Sequence, residues 1–578
     1  MRFPLNFVIV HRHEVLAIPH PPSAIRHPRK PADQSLKETA ESVVVAFILA
    51  FIFRAFIVEA FVIPTGSMAP TLLGQHVRAV CPQCGYAFKS DGGDRSTAGA
   101  DLRCPMCFFP ISTLDDAGQP ERTYAGDRIL VQKYLYPFVE PRRYDVVVFK
   151  NPESPETNFI KRLVGLPNET LGFLDGNVYT KPSTGGDWRI ASKVDPEINP
   201  RWEAIQRDVF QPIYHSRYVP KDGGSSEARG NVLWAQPWKP VAGDWQITND
   251  PNTGTVFQYT PNADAEQGEA SGTQATQAST LRFDFRPTTG YRADYSDDFA
   301  QYAYNQPNGS GLTLSWLEDV RIAATVRVPA NGAGRVQRCI VRFVVLCRID
   351  GEPEPIEAYF FQDDSGQGVS LTRADGTELE SFPLHWRTLL HPEYDNKLEF
   401  WVVDQTFVMF ANGDELLRHQ LEIPFDQLLD RPAPPRPSEQ QIEITVSGGP
   451  ATITDLQLDR DLVYDDGGLV DRHRGSFPRD HQGNVARRHA SPVDLGPDQF
   501  FTVGDNSPAS QDSRKWASVN REVADAHFDG ERGADAQGRV PRDLLMGRAF
   551  FVYYPAPSPV VSTGPAIIPN FGEMRFIH

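Results

Sequence analysis

Apolar residues crowd into one stretch near the start of the chain and thereafter thin into short alternating runs. The stretch reads SVVVAFILAFIFRAFIVEAFVIP: Val43 to Phe53 is unbroken, and continuing to Ile63 gives a span near the ~20 residues that a bilayer-crossing helix needs, interrupted by Arg54 and Glu59. We expect a transmembrane helix over residues 42–60. A buried core helix is the competing reading, because each of those charges is costly in hydrocarbon. Arg2, Arg12, Arg26, Arg29, Lys30 and Lys37 precede the stretch, so residues 1–41 read as a basic cytoplasmic tail and everything after residue 61 as extracytoplasmic. No cleavable signal peptide is expected, since the early FVIV is too short for an h-region.

Beyond the apolar stretch the period falls to two. DRILVQKY (127–134), YDVVVFK (144–150), NFIKRLVG (158–165) and RAFFVYYP (548–555) are short runs rich in β-branched and aromatic residues, bounded by turn formers. From about 230 to 462, IAATVRV, CIVRFVVLCRI, IEAYFFQ, LEFWVVDQTFVMFANGDEL and IEITVSG alternate with low-complexity linkers, which predicts a β-sandwich. The 49 prolines and 44 glycines fit a chain of many turns. The expected class is mainly β.

Composition narrows the functions. With 578 residues, 40% of them hydrophobic and 23% charged, the chain can build several packed cores. A net charge of −17 argues against nucleic acid, whose binding is driven by Lys and Arg on phosphates. Cys81, Cys84, Cys104 and Cys107 form two C-x2-C knuckles with zinc-ribbon spacing. A closed four-thiolate site has no open position for substrate, so a zinc there would be structural; two disulfides in an oxidising compartment are the alternative. Cys339 and Cys347 lie too far apart on one strand to bridge and read as core residues.

Directly after the apolar stretch comes FVIPTGSMAPTL (61–72), where a plain tether would carry charge. Ser67 there is a candidate nucleophile in need of a base. His76 is the one histidine close in sequence and has no recognisable triad around it, so lysine is the other option. A lysine works only when neutral, which requires burial to bring its pKa down from about 10.4. In NFIKRLVG the strand period puts Lys161 on the face of Phe159 and Leu163, an apolar setting, although a snorkelling strand lysine has the same spacing. Lys133 and Lys150 sit at strand ends, within reach of water. A third segment, GDNSPASQDSRKW (504–516), is dense in small polar residues and lacks the spacing of a calcium loop.

Taken together these segments resemble the bacterial type I signal peptidase (leader peptidase) family. FVIPTGSMAPTL is similar to its nucleophile box, GDRILVQKY to the next, RYDVVVFKNPESPETNFIKRLVGLPNET to its lysine box and GDNSPASQDSR to its last; FRAFIVEAFVIP is similar to the end of its membrane helix. The resemblance implies an antiparallel β catalytic core behind a membrane helix. It also implies a Ser/Lys dyad that cleaves signal peptides after small residues of the Ala-x-Ala type. By position, Ser67 would be the nucleophile and Lys161 the general base, Ser510 would orient the lysine, and Thr65 with the Ser67 N–H would form the oxyanion hole. Phe61, Ile63, Met68, Leu72 and Ile160 would line the substrate pockets. Asp127, Asp145, Arg162, Asp505 and the Asp512–Arg514 pair would support them. No cofactor is implied for catalysis. The implied partners are exported preproteins, the lipid bilayer and the export machinery, at a bacterial cytoplasmic membrane.

The resemblance covers about residues 42–180 and 495–555. The expected organisation is a tail (1–41), the membrane helix (42–60), an N-terminal segment of the catalytic core (61–190, with the ribbon at 81–107), an insertion (191–490) and a C-terminal segment of the core with its own tail (491–578). Within the insertion, LEFWVVDQTFVMFANGDELL is similar to the strand pair of concanavalin-like, jelly-roll-like sandwiches, with Asn412-Gly413 as its turn. Trp234, Trp245, Trp386 and Trp401 are candidates either for a sugar face or for the core. The competing function is therefore a membrane-anchored sandwich that binds carbohydrate or protein, with an inactive protease core.

Overall fold

Short β-branched runs fold into strands because alternate side chains can be buried on one face of a sheet. The computed structural model describes residues 32–52, 57–91, 102–107, 109–111, 123–174, 176–200, 202–221, 235–261, 278–284, 304, 319–330, 338–349, 352–363, 366–385, 388–425, 441–464, 492–516, 518–530, 536–555, 558–559, 566–568 and 570–577. Residues 1–31 of the expected basic tail, residues 53–56 of the apolar stretch, and Trp234 and Trp386 lie outside them. The chain divides into two units, Met1–Phe56 and Ile57–His578.

In the first unit, Ala32–Ile52 is one helix. Among the described residues no helix is long and apolar enough to cross a membrane. The structure departs from the expected 42–60 span at its C-terminal end, where Val58–Val62 is a strand paired with Arg128–Gln132. The cause is local. An apolar run reads the same in a helix as in a buried strand, and here Glu59 forms an ion pair with Lys133 at 3.1 Å.

The second unit is built of antiparallel sheets. Its eight-stranded core sheet runs in the order Val58–Val62, Arg128–Gln132, Leu545–Tyr554, Val146–Asn151, Ser154–Gly165, Gln499–Val503, Val540–Pro541, with Arg575–Phe576 added beside Leu545–Tyr554. Strands from the two ends of this unit thus interleave in one sheet. Lys161 sits opposite Val147, and Arg162 opposite Val503. One apolar cluster on this sheet holds Ile63, Met68, Leu72, Val146 and Val148, with Phe61 and Ile160 half-buried against it. A second holds Val147, Phe149, Leu163 and Trp516, with Phe159 packed against it.

The insertion folds as a sandwich of an eight-stranded and a seven-stranded sheet closed over a common core that includes Phe257, Phe343, Phe360, Phe400 and Met409. It begins earlier than its clearest sequence pattern, since Gln211–His215 already pairs with Ala451–Arg460. Trp401 is fully buried and Trp245 half-buried against the core, so neither supplies an open sugar face. Asn412 and Gly413 both take positive φ (53° and 87°) in the two-residue turn the sequence predicts. The insertion leaves and re-enters through one small sheet, ordered Arg189–Ile190, Asn177–Pro182, Glu169–Leu174, Val493–Asp494. Three strand spacings put its ends about 14 Å apart, close enough for the core sheet to form around them.

Candidate active site

Ser67 lies in a short 3-10 turn, Gly66–Met68, just past the edge strand. Met68 and Leu72 anchor this loop in the core, and Leu73 N and Leu73 O bond to Asp127, one to its carboxylate and one to its N–H. Arg575 donates to Thr71 O at 2.7 Å and to Asp127 Oδ2 at 3.1 Å, clamping the loop from behind. Sequence reasoning missed that arginine.

Lys161 Nζ lies 2.8 Å from Ser67 Oγ and 2.9 Å from Ile160 O. The serine is 9% exposed and the lysine 4%. The Phe159 ring centroid is 5.1 Å from the ammonium, as the shared strand face suggested. Burial pushes the Lys161 pKa down to about 8, an effect that Asp512 and Asp505 oppose and Arg514 reinforces. About a tenth of the amine is then neutral at pH 7, roughly 300 times more than at the ordinary value. His76 is engaged elsewhere: Nδ1 bonds to Gly74 O at 2.8 Å and Nε2 accepts from Arg78 at 3.4 Å, while burial holds its pKa down.

The 504–516 segment closes over this pair. Asn506 donates through its N–H to Ser67 O at 3.1 Å and through Nδ2 to Gly66 O at 3.0 Å. Gly504 must lack a side chain, since a Cβ there would stand 2.2 Å from Ser510 Oγ and 2.4 Å from Ser67 O. Ser510 is buried in this region, but its hydroxyl makes no hydrogen bond to Lys161, in contrast to the orienting bond the resemblance implies. Thr65 is exposed and its hydroxyl is not spent on capping the turn. Two fully buried ion pairs lie beneath. Asp512 holds Arg514 through bonds of 2.9 and 2.6 Å, and Asp505 holds Arg162 through two of 2.7 Å. Asp145 accepts from Arg142 N and lies 3.5 Å from Arg548.

Away from this site, all four ribbon cysteines converge, with every sulfur within 4.8 Å of the others. The Cys81–Cys107 and Cys84–Cys104 sulfurs are 3.5 Å apart, and all of these cysteines are free. A disulfide needs about 2.05 Å, whereas thiolates at about 2.3 Å from a tetrahedral zinc are roughly 3.8 Å apart. The arrangement fits the ion.

The family described as "Signal peptidase, peptidase S26" matches residues 36–92 and 106–222. The signal peptidase I of Pseudomonas fluorescens is 26% identical over 224 residues, covering 38% of this chain and 64% of that one. The signal peptidase I of Leptolyngbya laminosa is 27% identical over 204 residues, covering 34% of this chain and 74% of that one. The chain thus spans just under two thirds of the Pseudomonas fluorescens relative. Among solved structures, the carbohydrate binding module CBM66 from Bacillus subtilis is similar at a TM-score of 0.20 and 9% identity, covering 39% of this chain and 96% of that one, a level that supports no shared function. The boxes, the core sheet and the sequence match agree in their likeness to the peptidase S26 signal peptidase family.

Proposed function

We propose that the protein is a membrane-bound signal peptidase I that removes signal peptides from exported preproteins after small residues. The observation that carries this reading is the buried contact of 2.8 Å between Lys161 Nζ and Ser67 Oγ. In the neutral fraction, Lys161 accepts the hydroxyl proton as Ser67 Oγ bonds to the scissile carbonyl carbon. The developing oxyanion takes hydrogen bonds from the Thr65 hydroxyl and the Ser67 N–H. The protonated Lys161 then delivers its proton to the departing amine, and water, deprotonated by the same lysine, hydrolyses the acyl-enzyme.

Phe61, Ile63, Met68, Leu72 and Ile160 belong to one apolar cluster beside Ser67, a setting suited to shallow pockets that admit alanine-sized side chains and reject larger ones by overlap. Asp127, Asp145, Arg162, Asp505, Asp512 and Arg514 act as supports and take no part in proton transfer. Ser510, which lies beside Gly504, would orient Lys161 as the family resemblance implies. Cys81, Cys84, Cys104 and Cys107 would hold one structural zinc, which supplies cross-linking and no chemistry. The apolar stretch would tether the protease at the bacterial cytoplasmic membrane, with the catalytic unit outside. Protein in detergent micelles should release the signal from a preprotein ending in Ala-x-Ala, and Ser67→Ala should not. Equal release by both would remove Ser67 from the chemistry.

A further inference from the structure

We propose that the segment leaving the inserted sandwich completes the active site by supplying a positioning residue, Tyr464, which fixes the carboxylate that ties the nucleophile loop to the lysine strand. The inference rests on the reading of Ser67 and Lys161 as nucleophile and base. Asp505 is fully buried, and its two oxygens are saturated. Oδ1 accepts from Arg162 Nε at 2.7 Å and from the Tyr464 hydroxyl at 3.2 Å. Oδ2 accepts from Arg162 Nη2 at 2.7 Å and from Thr71 Oγ1 at 2.5 Å. A carboxylate offers about four lone-pair sites, and all are taken here.

Three of those bonds come from the segments flanking the dyad. Thr71 closes the loop that begins at Ser67, Arg162 is the neighbour of Lys161, and Asn506, next to Asp505, donates to Ser67 O. Rotation of the Asp505 carboxylate would therefore move both members of the pair. The fourth bond comes from the segment that leaves the sandwich, since Tyr464 follows the last sandwich strand, Ala451–Arg460.

The ring of Tyr464 is itself held in place. It shares an apolar cluster with Tyr144, Val164, Phe501 and Val503, and the Tyr464 backbone N–H donates to Gly176 O at 2.9 Å. Lys193 Nζ lies 5.6 Å from the ring centroid. That ammonium is paired with Asp404 at 2.5 Å and Asp461 at 2.9 Å. Asp404 sits in the turn between the sandwich strands Asn396–Val403 and Thr406–Ala411. A buried path thus runs from the sandwich through Lys193 and Tyr464 to Asp505, and a cleanly separable module would have no need of it.

Tyr464→Phe removes one hydroxyl and keeps the packing, so it tests the hydrogen bond and not the core. In the full-length protein, kcat for preprotein cleavage should fall about tenfold, the usual size of a lost bond to a charged group. KM should stay within about twofold, since substrate binding is untouched. Amide exchange should quicken in the peptides covering residues 66–75 and 504–510, with the thermal midpoint little changed. Tyr359→Phe, which removes a phenol bonded to Glu357 on the other sheet, should leave kcat and exchange at wild-type values. Wild-type kcat and wild-type exchange in Tyr464→Phe would overturn the proposal. So would a loss of kcat accompanied by a fallen midpoint and faster exchange throughout the chain. Should the unmodified protein show no Ser67-dependent cleavage, the dyad reading fails, and the exchange measurement still decides the role of Tyr464 by itself.

Discussion

The Arg162 guanidinium grips the Asp505 carboxylate in a bidentate pair, with both bonds at 2.7 Å across 343 positions of sequence. Because neither side chain reaches solvent, deleting one partner strands the other. Asp505→Ala should cost about 3–5 kcal/mol of stability, the usual loss when half of a buried pair is removed. Denaturant unfolding checks this. Arg162→Lys should also destabilise the fold, because an ammonium cannot make the two parallel bonds.

As the proposed base, Lys161 would contribute to chemistry at the expense of stability. Its folded pKa of about 8 lies below the ordinary value of 10.5. The unfolded chain therefore binds more protons between pH 8 and 10.5, and wild-type stability should rise with pH across that window. Below pH 8 the full cost is present, about 3 kcal/mol at 1.36 kcal/mol per unit. Lys161→Met should be inactive yet more stable at pH 7 by ~1–3 kcal/mol, with the gain shrinking toward pH 10.5. Unfolding curves of both proteins at pH 7, 8, 9 and 10 test the sign.

The four-sulfur cluster should retain one zinc per chain through purification, visible as added mass under native conditions. Chelation should increase proteolytic nicking within residues 81–107. Thiol titration of the denatured, unreduced protein should find all six cysteines free; a count of two would mean that the knuckles are disulfide-bonded.

Much of this was legible in the sequence because it is encoded locally. The strands around Val146 and Lys161 follow from β-branched alternation, and the apolar neighbours of Lys161 from the strand period. The Asn412-Gly413 turn follows from its two residues alone. The strand at Val58–Val62 was hidden because its apolar run continues that of the helix, and only its partner, Arg128–Gln132, distinguishes the two. The Asp505 hub was legible as a support but not as a junction, since its ligands Thr71, Arg162 and Tyr464 are scattered along the chain. Arg575 and Tyr464 carry no local signal, because each acts through long-range contacts.

If Lys161 is the general base, a buried, partly neutral amine takes the Ser67 proton. The dependence of kcat/KM on pH for cleavage of an Ala-x-Ala preprotein tests it most directly, because this profile follows the free enzyme's base. The rate should climb with one proton lost, its midpoint near the Lys161 value of about 8, and vanish in Lys161→Ala. A limb centred at about pH 6 to 7, in the ordinary histidine range, or cleavage that survives in Lys161→Ala, would contradict it.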